Sequence, residues 1–316
     1  MKKLAQALAI APMVLIVLFP VEVRGKNLVI ATSSVVLTNA PIWIGIERKF
    51  FEESGLNVQY VVMRSDLAVK GLITGDVDYM QSASSVLRAA VAGAPLVTIF
   101  GTYNRTFFDL VAKPEITSVR DLRGKNIGIS RYGASTEYAV RFALKANGID
   151  PDKDIKLLAV GAGTDAARIS ALESGIISAA VLQIPANLIA HKLGAKTILP
   201  LGDYMETLFA GLGTSARKIQ QNREEAKQVI RAVVKSIDYM ARNPAESKAI
   251  MQKNLRGVEG ATVDYIYDIV VKHATRNGVA SKKALDNTLL GSPFEGKPVG
   301  FDKFVDFSLA REVTGN

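Results

Sequence analysis

The strongest constraint on this chain is an internal repeat with a period near one hundred residues. Gly25-Lys-Asn-Leu-Val-Ile-Ala-Thr-Ser-Ser34 matches Gly124-Lys-Asn-Ile-Gly-Ile-Ser-Arg-Tyr-Gly133 at an offset of 99. Leu72-Ile-Thr-Gly-Asp-Val-Asp78 lies 100 residues before Leu172-Glu-Ser-Gly-Ile-Ile-Ser178, and Gly93-Ala94 pairs with Gly194-Ala195 at 101. A unit this long, present twice, is not a solenoid, which stacks several short repeats. It predicts two similar α/β lobes whose strand-end loops face each other. The alternative is separate convergence on the same strand-turn-helix pattern.

The second copy carries the clearest local signal. Ile127 to Ile129 is a short apolar run, read as a buried strand. Ser130, Arg131, Tyr132 and Gly133 follow, and Ala-Ser-Thr-Glu leads into the apolar-periodic segment Tyr138 to Leu144. Ser135 or Thr136 is expected to cap that helix, leaving backbone N–H groups where a small acidic or polar ligand could sit. The plain reading is an ordinary corner with a capping Ser.

At 316 residues the chain can fill two lobes of ordinary size, and its 22% charged and 48% hydrophobic residues suit a globular fold. Cysteine is absent, which excludes a disulfide framework, a thiolate nucleophile and a zinc knuckle. The two histidines, His191 and His273, lie far apart and outside any metal-ligand spacing. Both are expected to be solvated, and no cofactor or metal is expected. The net charge of +9 comes from scattered Lys and Arg without a basic block, so nucleic acid is not an expected partner.

Met1-Lys2-Lys3 is a positive n-region, Leu4 to Phe19 is uncharged and mostly apolar, and Pro20 breaks the run. Residues 1–25 therefore read as a secretory signal peptide, with an uncleaved membrane anchor as the alternative.

Strands are expected at Asn27 to Ala31, Asn57 to Met63, Val77 to Met80 and Leu96 to Phe100, then at Ile127 to Ile129, Ile155 to Val160, Ala179 to Leu182 and Thr197 to Pro200. Helices are expected between them, the first opened by Pro41 and running to Phe51. This alternation implies mainly parallel sheets with helices on both faces and a ligand crevice beyond the strands' carboxyl ends. Ser33, Ser34, Thr38, Asn39, Ser82, Ser84 and Ser85 fall at one such rim, where capping and turn chemistry is the competing use of Ser and Thr. Gly101 to Thr106 and Leu201 to Thr214 are the expected crossovers. They divide the chain into lobe 1, residues 26–102 and 205–316, and lobe 2, residues 103–204. Ala226, Val229, Ile230, Val233, Val234, Ile237 and Met240 form an amphipathic stripe expected to pack against the core. The segments Ala245 to Leu255, Thr262 to His273 and Phe301 to Val313 are read as further helices on lobe 1.

No nucleophile elbow, metal-binding helix motif or phosphate loop is present, and Gly161-Ala-Gly163 is too short for a dinucleotide fingerprint. Asp76 and Asp78 could pair as carboxylates, but beside Gly75 they are expected for turn reasons.

Three segments resemble the periplasmic solute-binding proteins of ABC importers for nitrate, taurine and aliphatic sulfonates. They are Pro41-Ile-Trp-Ile-Gly-Ile-Glu-Arg-Lys-Phe-Phe-Glu-Glu-Ser-Gly-Leu-Asn-Val58, Gly71-Leu-Ile-Thr-Gly-Asp-Val-Asp78 and Val119-Arg-Asp-Leu-Arg-Gly-Lys-Asn-Ile-Gly-Ile129. The resemblance covers Asn27 to Thr214. It implies a type II periplasmic binding fold, an extracytoplasmic location, a monomer, and delivery of a small solute to a membrane permease. It places ligand contacts on Ser33 to Asn39, on Ser82 to Ser85, on Gly133 to Thr136, including Ser135, and on Gln183 to Asn187; Tyr132, in the loop before Gly133, joins the candidate set. The last loop, neutral and small, departs from the acidic or aromatic residue of many members and points to a larger or less charged solute than a sulfonate. An enzyme on the same scaffold, like the pyrimidine-precursor synthases, would need His and Cys near iron, and this chain has no Cys. A solute-sensing module for a membrane receptor is the third reading.

Overall fold

A computed structural model describes residues 25–160, 164–255 and 258–315. Residues 1–24 of the expected signal peptide and the Gly161-Ala-Gly163 loop lie outside the described residues. Among the described residues, ten strands form two five-stranded sheets. The first sheet contains β1 (Lys26–Thr32), β2 (Leu56–Val62), β3 (Tyr79–Met80), β4 (Leu96–Arg105) and β10 (Glu206–Ser215), in the order β2-β1-β3-β10-β4. The second contains β5 (Phe108–Ala112), β6 (Asn126–Ile129), β7 (Lys156–Ala159), β8 (Ala179–Gln183) and β9 (Lys196–Pro200), in the order β7-β6-β8-β5-β9. The two orders are equivalent, as the repeat requires.

The sheets are mixed where mainly parallel ones were expected. β1 pairs in parallel with β2 and β3, and β6 with β7 and β8. β10 runs antiparallel to β3 and β4, and β5 antiparallel to β8 and β9. β5 and β10 are the strands that sequence reading missed. Each carries the chain out of one lobe and enters the other sheet in the reverse direction, so the crossovers are themselves sheet members.

The helix expected from Pro41 to Phe51 is two helices, Ala40–Glu47 and Phe50–Glu53, separated at Lys49, whose φ is 59°. That turn lets consecutive Phe50 and Phe51 both be buried. A Cβ on Gly45 would lie 2.6 Å from the Phe51 ring, so glycine there admits the aromatic side chain. The amphipathic stripe lies on the helix Arg223–Arg242, with Ala226, Val229, Ile230, Val233, Ile237 and Met240 buried in the first lobe's core and Val234 only partly so. Each fully buried aliphatic side chain there contributes about 1.5–3 kcal/mol.

The same helix is tied down by charge. Glu225, buried, accepts from Tyr79 Oη at 2.9 Å, pairs with Lys218 at 3.0 Å and pairs also with Lys26. Burial would push its carboxyl up, but the hydrogen bonds from Lys26, Lys218 and Tyr79 outweigh it and hold it below the ordinary value. Asp78 accepts from Val29 N at 2.7 Å and pairs with Lys218, which gives it a structural task. Asp76 accepts from Thr74 instead, so the two carboxylates do not act together. Helices Pro244–Asn254 and Ala261–His273 follow as expected, whereas the final one is confined to Ser308–Thr314 and a helix Lys282–Thr288 was not foreseen.

Candidate functional site

Between the lobes, the carboxyl ends of β1 and β3 belong to one wall and those of β6 and β8 to the other. After β1, Ser33 and Ser34 are exposed, while Thr38 and Asn39 are buried. Asn39 Nδ2 donates to Thr32 Oγ1 at 3.0 Å, to the Ser34 carbonyl at 3.2 Å and to Tyr60 Oη. Gln81 Nε2 donates to the Thr38 carbonyl at 2.6 Å. Asn39 and Gln81 thus fix the shape of the loop that presents Ser33 and Ser34. After β3, the Ser82 and Ser85 hydroxyls meet at 2.9 Å, at the start of the helix Ala83–Val91.

On the second lobe the expected cap is not formed by Ser135 or Thr136. Both lie inside the helix Ser135–Ala146, whose flanking residue is Ala134. Thr136 Oγ1 turns back to accept from Ser130 N at 3.2 Å, and it meets Ser130 Oγ at 2.8 Å. Glu137 Oε2 accepts from Gly133 N at 2.7 Å, and Glu137 Oε1 accepts from Arg141 at 2.9 Å. Among the described residues no acceptor lies on the N–H groups of Ser135 or Thr136, so the helix still presents open donors. Tyr132 is exposed, with its hydroxyl donating to the Leu157 carbonyl at 2.9 Å.

Gln183 is half-buried at the end of β8, and its backbone N–H donates to Asp165 at 3.2 Å. Asn187 is fully buried. Its Nδ2 donates to Asp109 Oδ2 at 2.7 Å and to Tyr265 Oη at 3.3 Å, and its Oδ1 accepts from Leu188 N at 2.9 Å. Burial pushes the Asp109 carboxyl up, partly offset by the Asn187 and Thr197 hydrogen bonds.

A cavity of about 290 Å³ between the lobes gathers Ser84, Ser85, Gly133 and Ser135 from the expected set. It also gathers residues that sequence reading passed over: Arg88, Thr106, Arg131, Tyr138, Thr207, Asn287 and Thr288. Arg131 stood in the loop already singled out, and its charge was the available signal. Arg88 lies one helical turn beyond Ser84, on the same face. Asn287 and Thr288 belong to a segment remote in sequence, with no local signature. Among the described residues no carboxylate pairs with Arg88 or Arg131. A second cavity of about 380 Å³ includes Asp109, Tyr265 and the crossover residues Arg105 and Asp203, which pair at 2.8 Å. Among the described residues no three His, Asp or Glu side chains converge as metal ligands. Nor is any helix long and apolar enough to cross a membrane.

Two lobes of equivalent sheet order, joined by two crossing strands and lined by polar loops, define the two-lobed α/β fold of periplasmic binding proteins. The NMT1/THI5-like family model matches residues 38–247, and the chain belongs to that family. It is 26% identical over 215 residues to the riboflavin-binding protein RibY of Chloroflexus aurantiacus, a match covering 66% of this chain. The chain spans 60% of that relative's length. Among solved structures, the putative periplasmic sulfonate-binding protein SsuA of Methylobacillus flagellatus superposes with a TM-score of 0.72 at 16% identity, over 92% of this chain and 94% of the other. The desulfurization enzyme DszB shares the fold with a TM-score of 0.63 at 12% identity, over 92% and 99% of the two chains.

Proposed function

We propose that this chain is the extracytoplasmic solute-binding component of an ABC importer, taking a small organic solute between its lobes and delivering it to a membrane permease. The observation that carries the reading is the convergence, from both lobes, of Ser84, Ser85, Ser135 and open helix donors on one interlobe cavity. Residues 26–102 with 205–316 would move as one body and residues 103–204 as the other, a hinge closure around the cargo. Ser33, Ser34 and Gln183 would complete the rim. The family and the fold support a binding role. DszB is an enzyme of this fold, but this chain has no cysteine and neither of its histidines lines the cavity. RibY and SsuA are named for a neutral flavin and for sulfonates, so both classes belong in the test. Calorimetric titration of the purified chain with sulfonates, carboxylates and flavins is expected to yield one class that binds, with Ser135→Ala weakening it without lowering the unfolding temperature. A chain that binds none of them is not a carrier of this kind.

A further inference from the structure

On the side away from the cleft, the second sheet ends in a row of lysines. β6 and β8 point their carboxyl ends at the cleft, so their first residues lie at the opposite pole of this lobe. There Lys156 N donates to the Lys125 carbonyl at 2.9 Å, Ser178 N to the Asn126 carbonyl at 2.8 Å and Lys113 N to the Ser178 carbonyl at 3.0 Å. Lys196 is the register partner of Ala112, next to Lys113. Lys156, Lys125, Lys113 and Lys196 thus mark the ends of four of the five strands, a row roughly 19 Å long at the usual strand spacing. Lys113 is half-buried and the other three are exposed, as is Lys192 at the end of the helix Ala186–Lys192. Among the described residues none of these five lysines pairs with a carboxylate. The acids just before Lys156 are engaged elsewhere, Asp150 with Lys153, Asp152 with Arg141 and Asp154 with Arg123. Glu115 and Glu173, both exposed, oppose the lysines here and are outnumbered by them.

The repeat supplies an internal comparison, since Lys125 corresponds to Lys26 and Ser178 to Asp78. In the first lobe Lys26 pairs with Glu225 of the helix Arg223–Arg242, and Asp78 pairs with Lys218. In the second lobe a serine replaces that aspartate, and no counterpart of Glu225 reaches Lys125 among the described residues. Apolar side chains stand out at the same pole. Ile176 is 59% exposed, and its carbonyl accepts from Asn126 Nδ2 at 3.1 Å, which fixes it beside Lys125. Leu193, in the turn before β9, is 50% exposed and lines a slot of about 180 Å³ with Pro114, Leu172 and Lys113. Exposed apolar tips set among lysines suit the headgroup level of a bilayer, where one end of the contact is apolar and the other anionic.

We propose that this pole is a docking surface for an anionic phospholipid bilayer. The lysines lie against headgroup phosphodiesters, each strengthening the attachment about fivefold, while Ile176 and Leu193 enter the boundary between headgroups and acyl chains. Such an attachment is reversible and keeps the molecule at the membrane surface. The pole lies away from the cleft, so the proposal does not depend on what the cleft takes.

Co-sedimentation of the purified chain with vesicles tests it, using equal parts phosphatidylglycerol and phosphatidylcholine, and phosphatidylcholine alone as the neutral probe. The neutral vesicles also report any attachment through the apolar residues 4–19, which every variant shares. The wild type is expected to bind the anionic vesicles and to release as sodium chloride is raised. Lys125→Gln with Lys196→Gln should weaken binding roughly 10- to 30-fold, and Ile176→Ser several-fold. Lys70→Gln with Lys283→Gln, at exposed positions of the first lobe, removes the same net charge and should leave binding unchanged. Equal binding by wild type and the Lys125/Lys196 variant, an equal loss in the first-lobe variant, or no preference for anionic vesicles overturns the proposal. Release by inorganic phosphate at constant ionic strength also overturns it, by marking a site for the free ion. So does retention on immobilised polyglutamate without vesicle binding, which marks an acidic protein partner. A chain that binds a solute but no vesicle keeps the solute-binding reading and loses this one.

Discussion

At the residue scale, several side chains chosen for their chemistry turn out to hold the protein together. Asn187 is the clearest case, because its amide is fully used by Asp109, Tyr265 and Leu188 N. Asn187→Ala should cost about 1–3 kcal/mol in urea denaturation, since it strips a donor from a buried carboxylate, and should leave solute affinity unchanged. A large affinity loss with no stability change would return Asn187 to the binding site. His273 gives a pH signature. Burial, with Arg105 and Lys272 nearby, lowers its pKa to about 4, against an unfolded value near 6.5. The unfolded chain therefore binds the extra proton between those values. The neutral ring's contribution is complete above about pH 6.5 and is lost as pH falls through 4. The difference in stability between pH 7 and pH 4.5 should shrink in His273→Gln. An unchanged difference would mean that other groups set the acid response.

At the element scale, the segment after the helix Lys282–Thr288 works as a strap across the lobes. Thr288 Oγ1 accepts from Leu208 N at 3.0 Å on the first lobe, and Leu290 packs against the second lobe's core. Tyr138 Oη donates to Glu295 at 3.3 Å, and Gly291 has φ of 75°. A Cβ at Gly291 would lie 2.4 Å from the Gly133 carbonyl, so only glycine allows this approach to the loop that opens the helix Ser135–Ala146. Gly291→Ala should push the strap off that loop and weaken solute binding by roughly tenfold, with the strained φ adding about 1 kcal/mol of instability. Wild-type affinity in that variant would show that the strap is not part of the closed cleft. None of this was legible in the sequence, because the strap's partners lie 80 to 202 residues away. The repeat and the parallel strands were legible, since strand-turn-helix periodicity is local. β5 and β10 were not, because their pairing direction is set by the crossing between lobes and no local pattern records it. The Glu137–Gly133 contact likewise displaced the expected Ser or Thr cap, a choice among neighbouring donors that spacing leaves open.

At the scale of the whole molecule, two sheets of equivalent order are connected through β4, β5, β9 and β10, and rotation of the lobes about these strands is the motion expected when a solute binds. The absence of cysteine makes the motion directly measurable, because Ile73→Cys and Ile176→Cys, both at exposed positions, accept a specific dye pair on opposite lobes. Single-molecule energy transfer between these dyes should report a shorter distance when a solute that binds in the calorimetric series is added, returning to its starting value on dilution. Saturation with that solute and an unchanged distance would contradict closure around a shared cargo.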